Sequence, residues 1–289
     1  MIRTNFSIAV IATLLISAIP ALTLAGDSVS WTGCGISKKA FMSEMAAAYE
    51  KKTGIAVKLS GGGATKGIRA TAAGNSDMGG SCRYWLRDVS GEIHGEEQDA
   101  ELIQVAWDAL VVIANPGNKV NNISMDELKK VYDGKITNWK ELGGVDKRIA
   151  LVTRKGKTSG VGMMFRKLAF GNQDYEFKAR SLKVKSTGPL EKKVESVKSG
   201  LAIDGISSAK KRNVKVLAVD GAEPSKANIG SGKYPLYRPL YIVLKKSNPS
   251  KKAKAFIDFV LSDEGQAIIS SQGTVNLKEG EALNSLWKS

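Results

Sequence analysis

The chain has 289 residues, 43% hydrophobic and 25% charged, with 43 Lys and Arg against 28 Asp and Glu, a formal net charge of +15. That length allows two medium domains or one large one with a real core, and it excludes a small scaffold that depends on disulfides. The positive excess attracts anions, but aromatics make up 7% and are not interleaved with Lys210–Arg212 or Lys251–Lys254, so no nucleic-acid partner is expected.

In chain order, Arg3 is the sole charge before Asp27, an apolar run spans Ile8 to Pro20, and Thr23-Leu24-Ala25 offers small residues for cleavage. This predicts residues 1–25 as a secretory signal peptide, too short in its apolar run for the ~20 residues of a membrane span. The mature chain is expected in the periplasm. Val29–Thr32 reads as a strand entering Gly33-Cys34-Gly35-Ile36-Ser37, and Phe41, Met45, Ala48 and Tyr49 mark one face of a helix ended by Gly54. Ile55–Leu59 is a second strand, feeding the glycine-rich loop Ser60–Gly63 and a helix over Thr65–Ala73. A short strand from Asp77 then delivers Ser81, Cys82 and Arg83. The repeated strand-loop-helix order predicts a parallel sheet with ligand loops at the carboxyl ends of its strands.

Ala109–Ala114 is an apolar strand closing at Asn115-Pro116-Gly117, and Ser124 to Glu127 is a capping-box pattern opening a helix. Ile149–Thr153 is a strand ending at Arg154, followed by a Gly/Ser/Thr loop and a helix near Gly162–Ala169. Ser186-Thr187-Gly188-Pro189 starts another helix, with strands near Leu201–Ile206 and Val214–Val219. After the strand Tyr237–Leu244, helices Ala253–Leu261 and Glu264–Ser271 return to the first unit. The expected division is lobe 1 over residues 26–112 plus 237–289 and lobe 2 over residues 113–236, with two hinge crossings.

Three loops at strand ends can converge on an anion: Gly35–Lys38, Gly61–Gly67 with Ser81, and Arg154–Val161. Helix-start amides lack intrahelical partners and carry the positive end of the dipole. Arg154 adds a planar fork of donors that matches two oxygens of a tetrahedral anion. No Gly-x-Ser-x-Gly elbow occurs, and the one histidine, His94, lies in a polar loop. No enzyme activity, cofactor or metal site is therefore expected. Cys34 and Cys82 form an even pair in an exported chain, suited to a disulfide or to packing. Because both fall on ligand loops, an alternative function is a periplasmic sensor that uses the two thiols for a thiophilic or redox signal.

The motifs Thr32-Gly33-Cys34-Gly35-Ile36-Ser37, Gly62-Gly63-Ala64-Thr65-Lys66-Gly67-Ile68, Asp77-Met78-Gly79-Gly80-Ser81-Cys82-Arg83 and Gly134-Lys135-Ile136-Thr137-Asn138-Trp139 occur in this order, followed by Arg154 with Ser159-Gly160. Tyr234-Pro235-Leu236-Tyr237-Arg238-Pro239-Leu240 and Ser262-Asp263-Glu264-Gly265-Gln266-Ala267 complete the set. Together they resemble the type 2 periplasmic binding proteins, specifically the phosphate-binding component of ABC phosphate importers, over almost all of the mature chain. The resemblance implies an α/β, two-lobed fold with a cleft between the lobes. It also implies a monomer that captures phosphate or a similar oxyanion and hands it to an ABC transporter permease in the inner membrane. Carried over by position, Ser37 with the Lys38 amide, Ser81, Arg154, Ser159 and the Gly160 and Val161 amides line the site, and Thr65 can replace one missing donor. Ala64 stands where members usually have Ser, Val161 where they usually have Thr, and Cys82 where Asp or Ser is common.

Overall fold

The computed structural model describes residues 27–287; the expected signal peptide lies outside the described residues. The chain opens with β1 (Ser28–Gly33), whose alternating burial sends Trp31 into the core. The short α1 (Gly35–Ser37) continues through a wide turn over Lys38–Met42, closed by an i→i+5 bond from Ser43 N–H to Lys38 C=O, into α2 (Ser43–Thr53). Next come β2 (Ala56–Gly61), α3 (Gly63–Ala72) and β3 (Met78–Ser81). These make the predicted strand-loop-helix units, with β1 parallel to β2 from Ser28↔Ala56 to Gly33↔Gly61 and parallel to β3 at Gly33↔Gly80. Gly67 lets α3 lie directly on this ladder, since a β-carbon there would stand 2.6 Å from Gly80 O and 2.9 Å from Thr32 O.

The long β4 (Ala100–Ala114) is followed by β5 (Asn122–Ile123) and α4 (Met125–Tyr132), whose Ser124/Glu127 capping box is formed on both sides. β6 (Ala150–Arg154), α5 (Gly160–Phe170), β7 (Leu182–Val184), α6 (Thr187–Ser196) and β8 (Gly200–Gly205) repeat the device. Then come α7 (Ile206–Ala209), β9 (Lys215–Val219), α8 (Lys226–Gly230), β10 (Tyr237–Lys245), α9 (Lys251–Leu261) and α10 (Asp263–Ser271). Tyr132 packs its ring 4.6 Å from Phe165 and 4.7 Å from Phe177, which seats α5 against α4. Such aromatic pairs contribute about 0.5–1.5 kcal/mol beyond area burial.

Strand order is β2-β1-β3-β10-β4-β8-β6-β7, with β9 joined to β4 and β5. The sheet is therefore mixed, because β10 runs antiparallel to both β3 and β4, which corrects the expectation of a parallel sheet. The returning strand enters between β3 and β4 and leads on into α9 and α10. β4 pairs with β10 from Ala100 to Ala109 and with β8 from Leu110 to Ala114, so one strand belongs to both halves of the molecule. At the exchange, fully buried Arg238 donates to Asp108 at 2.9 and 3.2 Å.

Candidate functional site

A cleft of about 530 Å³ opens at the strand ends. Four helix starts line it: Gly35 and Ile36 of α1, Gly63 to Thr65 of α3, Ser159 to Val161 at α5, and Ser186 to Gly188 at α6. First-turn amides have no intrahelical acceptor, so donors and helix dipoles point at the same space. Ser159 caps α5 by accepting from Gly162 N–H at 3.1 Å. That cap fixes the direction of the Gly160 and Val161 amides. Gly160 has no room for a side chain, because a β-carbon would strike Cys82 Sγ.

Arg154 ends β6 in the cleft wall, where Nη1 donates to Thr187 Oγ1 at 3.0 Å and Nη2 to Lys185 O at 2.9 Å. Its Nε is buried with no acceptor among the described residues, and no carboxylate pairs with it there. Burial lowers its pKa from the ordinary guanidinium value, against the opposing pull of Cys82, Asp204 and Cys34. An arginine nevertheless remains charged. It is thus a partly desolvated cation with one donor, Nε, unused among the described residues.

Other cleft cations differ. Lys39 and Arg212 both bind the fully buried Glu191, at 3.4 and 2.6 Å, and Ser208 donates to the same carboxylate. Their charge is largely spent. Lys155 and Lys185 also line the cleft and carry no ion pair among the described residues. Glu191 sits against Asp204, which is buried to 1% exposure. Burial first, then hydrogen bonding and repulsion from Glu191, push Asp204 well above the usual carboxylate range, while Glu191 is lowered despite its own burial by bonds from Asp204, Ser208 and Arg212. Burial and the neighbouring Glu191 both favour the protonated form of Asp204.

A carboxyl with a raised folded pKa stabilises the protein below its unfolded value, 3.8, and that contribution is lost as pH rises through the folded pKa. Asp204→Asn should therefore gain stability relative to the parent as pH rises from about 4 to 8, read as the difference in urea midpoint at each pH. A difference independent of pH would show that Asp204 is ionised in the folded protein.

The residues singled out in the sequence divide into two groups. Thr65, Arg154, Ser159, Gly160 and Val161 meet in the cleft. Ser37, Lys38 and Ser81 do not reach it with free donors. Ser37 Oγ contacts Cys34 Sγ at 3.1 Å, the Lys38 amide donates to Cys34 O at 3.2 Å, and the Lys38 ammonium reaches Leu59 O. Ser81 Oγ donates to Arg83 O at 2.7 Å and accepts the Arg83 amide. Each forms a local turn contact that satisfies its donor. Lys39, Thr187, Lys185 and Arg212 were missed, although the Ser186-Thr187-Gly188-Pro189 helix start is the same signal that marked Ser159.

Cys34 and Cys82 are free, buried and side by side in the cleft wall. Burial opposes ionisation of Cys34, but bonds from Cys82 and from the Ser37 hydroxyl and amide, with the Arg238 charge, outweigh it and lower its pKa. The bond to Cys34, then burial, raises that of Cys82. Of the two, Cys34 is the easier to ionise and Cys82 the harder.

Groups from the two sides of the cleft also bond each other. Thr65 Oγ1 and Arg83 Nε donate to Thr158 O at 2.8 and 3.0 Å, and Arg238 Nη1 donates to Gly160 O at 3.3 Å. Arg83 is itself fixed by Glu97, at 2.7 and 2.9 Å, with both side chains fully buried.

A mixed α/β sheet crossed by one shared strand, with helix starts converging at its centre, is the architecture of a type 2 periplasmic binding protein. The chain belongs to the PBP superfamily, whose domain model matches residues 32–264. It is 30% identical over 261 residues to the phosphate-binding protein PstS of Bacillus subtilis, covering 88% of this chain and 80% of that one. To the phosphate-binding protein PstS of Borreliella burgdorferi it is 31% identical over 189 residues, 63% of this chain and 68% of the relative. Among solved structures, a phosphate ABC transporter substrate-binding protein with bound phosphate from Clostridium perfringens superposes with a TM-score of 0.76 at 29% identity, covering 86% of this chain and 99% of that one. An ABC-type phosphate transport receptor from Vibrio cholerae gives 0.65 at 27% identity, covering 86% and 100%.

Proposed function

We propose that this protein is an exported receptor that captures phosphate or a similar tetrahedral oxyanion and delivers it to an ABC permease in the inner membrane. The observation that carries this reading is the convergence of four helix starts on Arg154, a cation with no carboxylate partner among the described residues. Thr65, Arg154, Ser159 and the Gly160 and Val161 amides are the proposed ligands. Residues 26–112 with 237–289, and residues 113–236, are the two lobes that close on the anion, about the point where β4 changes partners. The protein acts as a binder rather than an enzyme, as its named relatives do. Export follows from residues 1–25 as a signal peptide, and among the described residues no helix is long and apolar enough to cross a membrane.

Isothermal titration of refolded, ligand-free protein with phosphate, arsenate, sulfate, molybdate and tungstate tests the reading. Phosphate should bind with a stoichiometry of about one, since among the described residues the cleft holds a single guanidinium with no carboxylate partner. Absence of heat with every oxyanion would overturn it. Sulfate binding within about 10-fold of phosphate is also expected, because Cys82 stands beside Gly160 and, among the described residues, no carboxylate lines the cleft to select for a protonated anion.

A further inference from the structure

We propose that Cys34 and Cys82 form a dithiol site for trivalent arsenic, supplied as arsenite, in the wall of the same cleft. The inference goes beyond oxyanion capture because it uses donors that a tetrahedral anion does not need. Both cysteines follow neighbouring parallel strands, β1 and β3, and the Cys34 amide donates to Gly80 O at 3.1 Å, holding the two strand ends at ladder spacing. Both thiols are free, at 3% and 2% exposure, and both line the cleft. They are shielded from bulk solvent yet face the space a small solute enters.

The chemistry of the surroundings selects the ligand. Thiols favour soft centres, and zinc calls for four ligands, whereas among the described residues no group of three His, Cys, Asp or Glu could hold a metal ion. A pyramidal arsenic centre takes two thiols from neighbouring strand ends, which is where Cys34 and Cys82 stand. Its remaining position is an oxygen. Around Cys82 that oxygen meets hard donors, the Gly160 and Val161 amides and Arg154. In the capture step two As–S bonds form and two As–OH bonds break. Each departing hydroxide takes one thiol proton and leaves as water, arsenic stays trivalent, and the third hydroxyl remains.

Reduced mature protein titrated with sodium arsenite tests this, with free thiols counted by a chromogenic disulfide and intact mass measured under native conditions. One arsenic per chain should consume both thiols, and Cys34→Ser or Cys82→Ser should each weaken capture by about 10²-fold or more, since a single thiol lacks the effective concentration of the second. Melting curves establish that each variant is folded, and thiol counting on the parent stands without them. Unchanged thiols in the parent would overturn the proposal, as would capture retained within a few-fold in a folded single variant. Protein isolated without reductant and carrying a Cys34–Cys82 disulfide would also overturn it. Phosphate binding on the same sample separates the two readings: phosphate without arsenite sinks the dithiol site alone, and arsenite without phosphate sinks only the oxyanion receptor.

Discussion

Arg154→Ala should abolish phosphate binding in titration while leaving a folded protein. The guanidinium is half-buried at the end of β6, and its two Nη groups are held by Thr187 and Lys185 O, so it is already aimed before an anion arrives. Losing one partner of a desolvated, hydrogen-bonded charge pair costs about 2–5 kcal/mol, and each 1.4 kcal/mol is tenfold in Kd. Lys39 and Arg212 cannot substitute, since Glu191 holds both. Lys155 and Lys185 are exposed, so their compensation is weak and screened by salt. Arg154→Lys should be intermediate, keeping the charge without the planar fork. Near-parental affinity in Arg154→Ala would remove this residue from the site.

The largest loss of stability is expected from Glu97→Ala. Its carboxylate accepts both terminal nitrogens of Arg83 and the Leu86 amide, with Arg69 at 3.4 Å, and neither Glu97 nor Arg83 is exposed. Removing one member of a buried pair leaves an uncompensated charge, a cost of about 3–5 kcal/mol, or on the order of 10 °C in melting temperature for a chain of this size. Burial works against ionised Glu97, but the Arg83 bonds outweigh it and hold its pKa below the usual 4.5. A depressed folded pKa means stability that is present above 4.5 and lost as pH falls through the lower folded value. The melting temperatures of parent and variant should therefore converge in acid. A gap that stays constant down to acid unfolding would show that the ion pair is not the source of the loss.

Much of the fold could be read from the sequence because local patterns marked it. The apolar run Ala109–Ala114 reads as a strand and lies within β4, and Gly54, Ser124 and Ser159 act as the helix stop and caps that they signal. The first half of β4 was missed, since Glu101, Gln104 and Asp108 interrupt the apolar run. Asp108 is buried all the same, through Arg238, 130 residues away. No window of sequence contains that partner. Arg154 was legible from its place at a strand end. Ser37 and Ser81 hold motif positions, but a motif does not say where a hydroxyl turns, and here each turns to a neighbour two or three residues along the chain. Glu191 went unnoticed for the opposite reason: a Glu in an ordinary helix gives no hint that it quenches two of the cleft's cations.

The segment Thr158–Val161 offers two carbonyls to the opposite side of the cleft, taken by Thr65, Arg83 and Arg238, and two amides to the cleft itself. One short stretch of backbone is thus both latch and seat. Peptide units are rigid and planar, so a rotation that loosens the Gly160 carbonyl also swings the Val161 amide that shares its peptide plane. Under the proposed function, grip on the anion and grip between the two sides are mechanically geared, and neither can be tuned by changing this loop without moving the other.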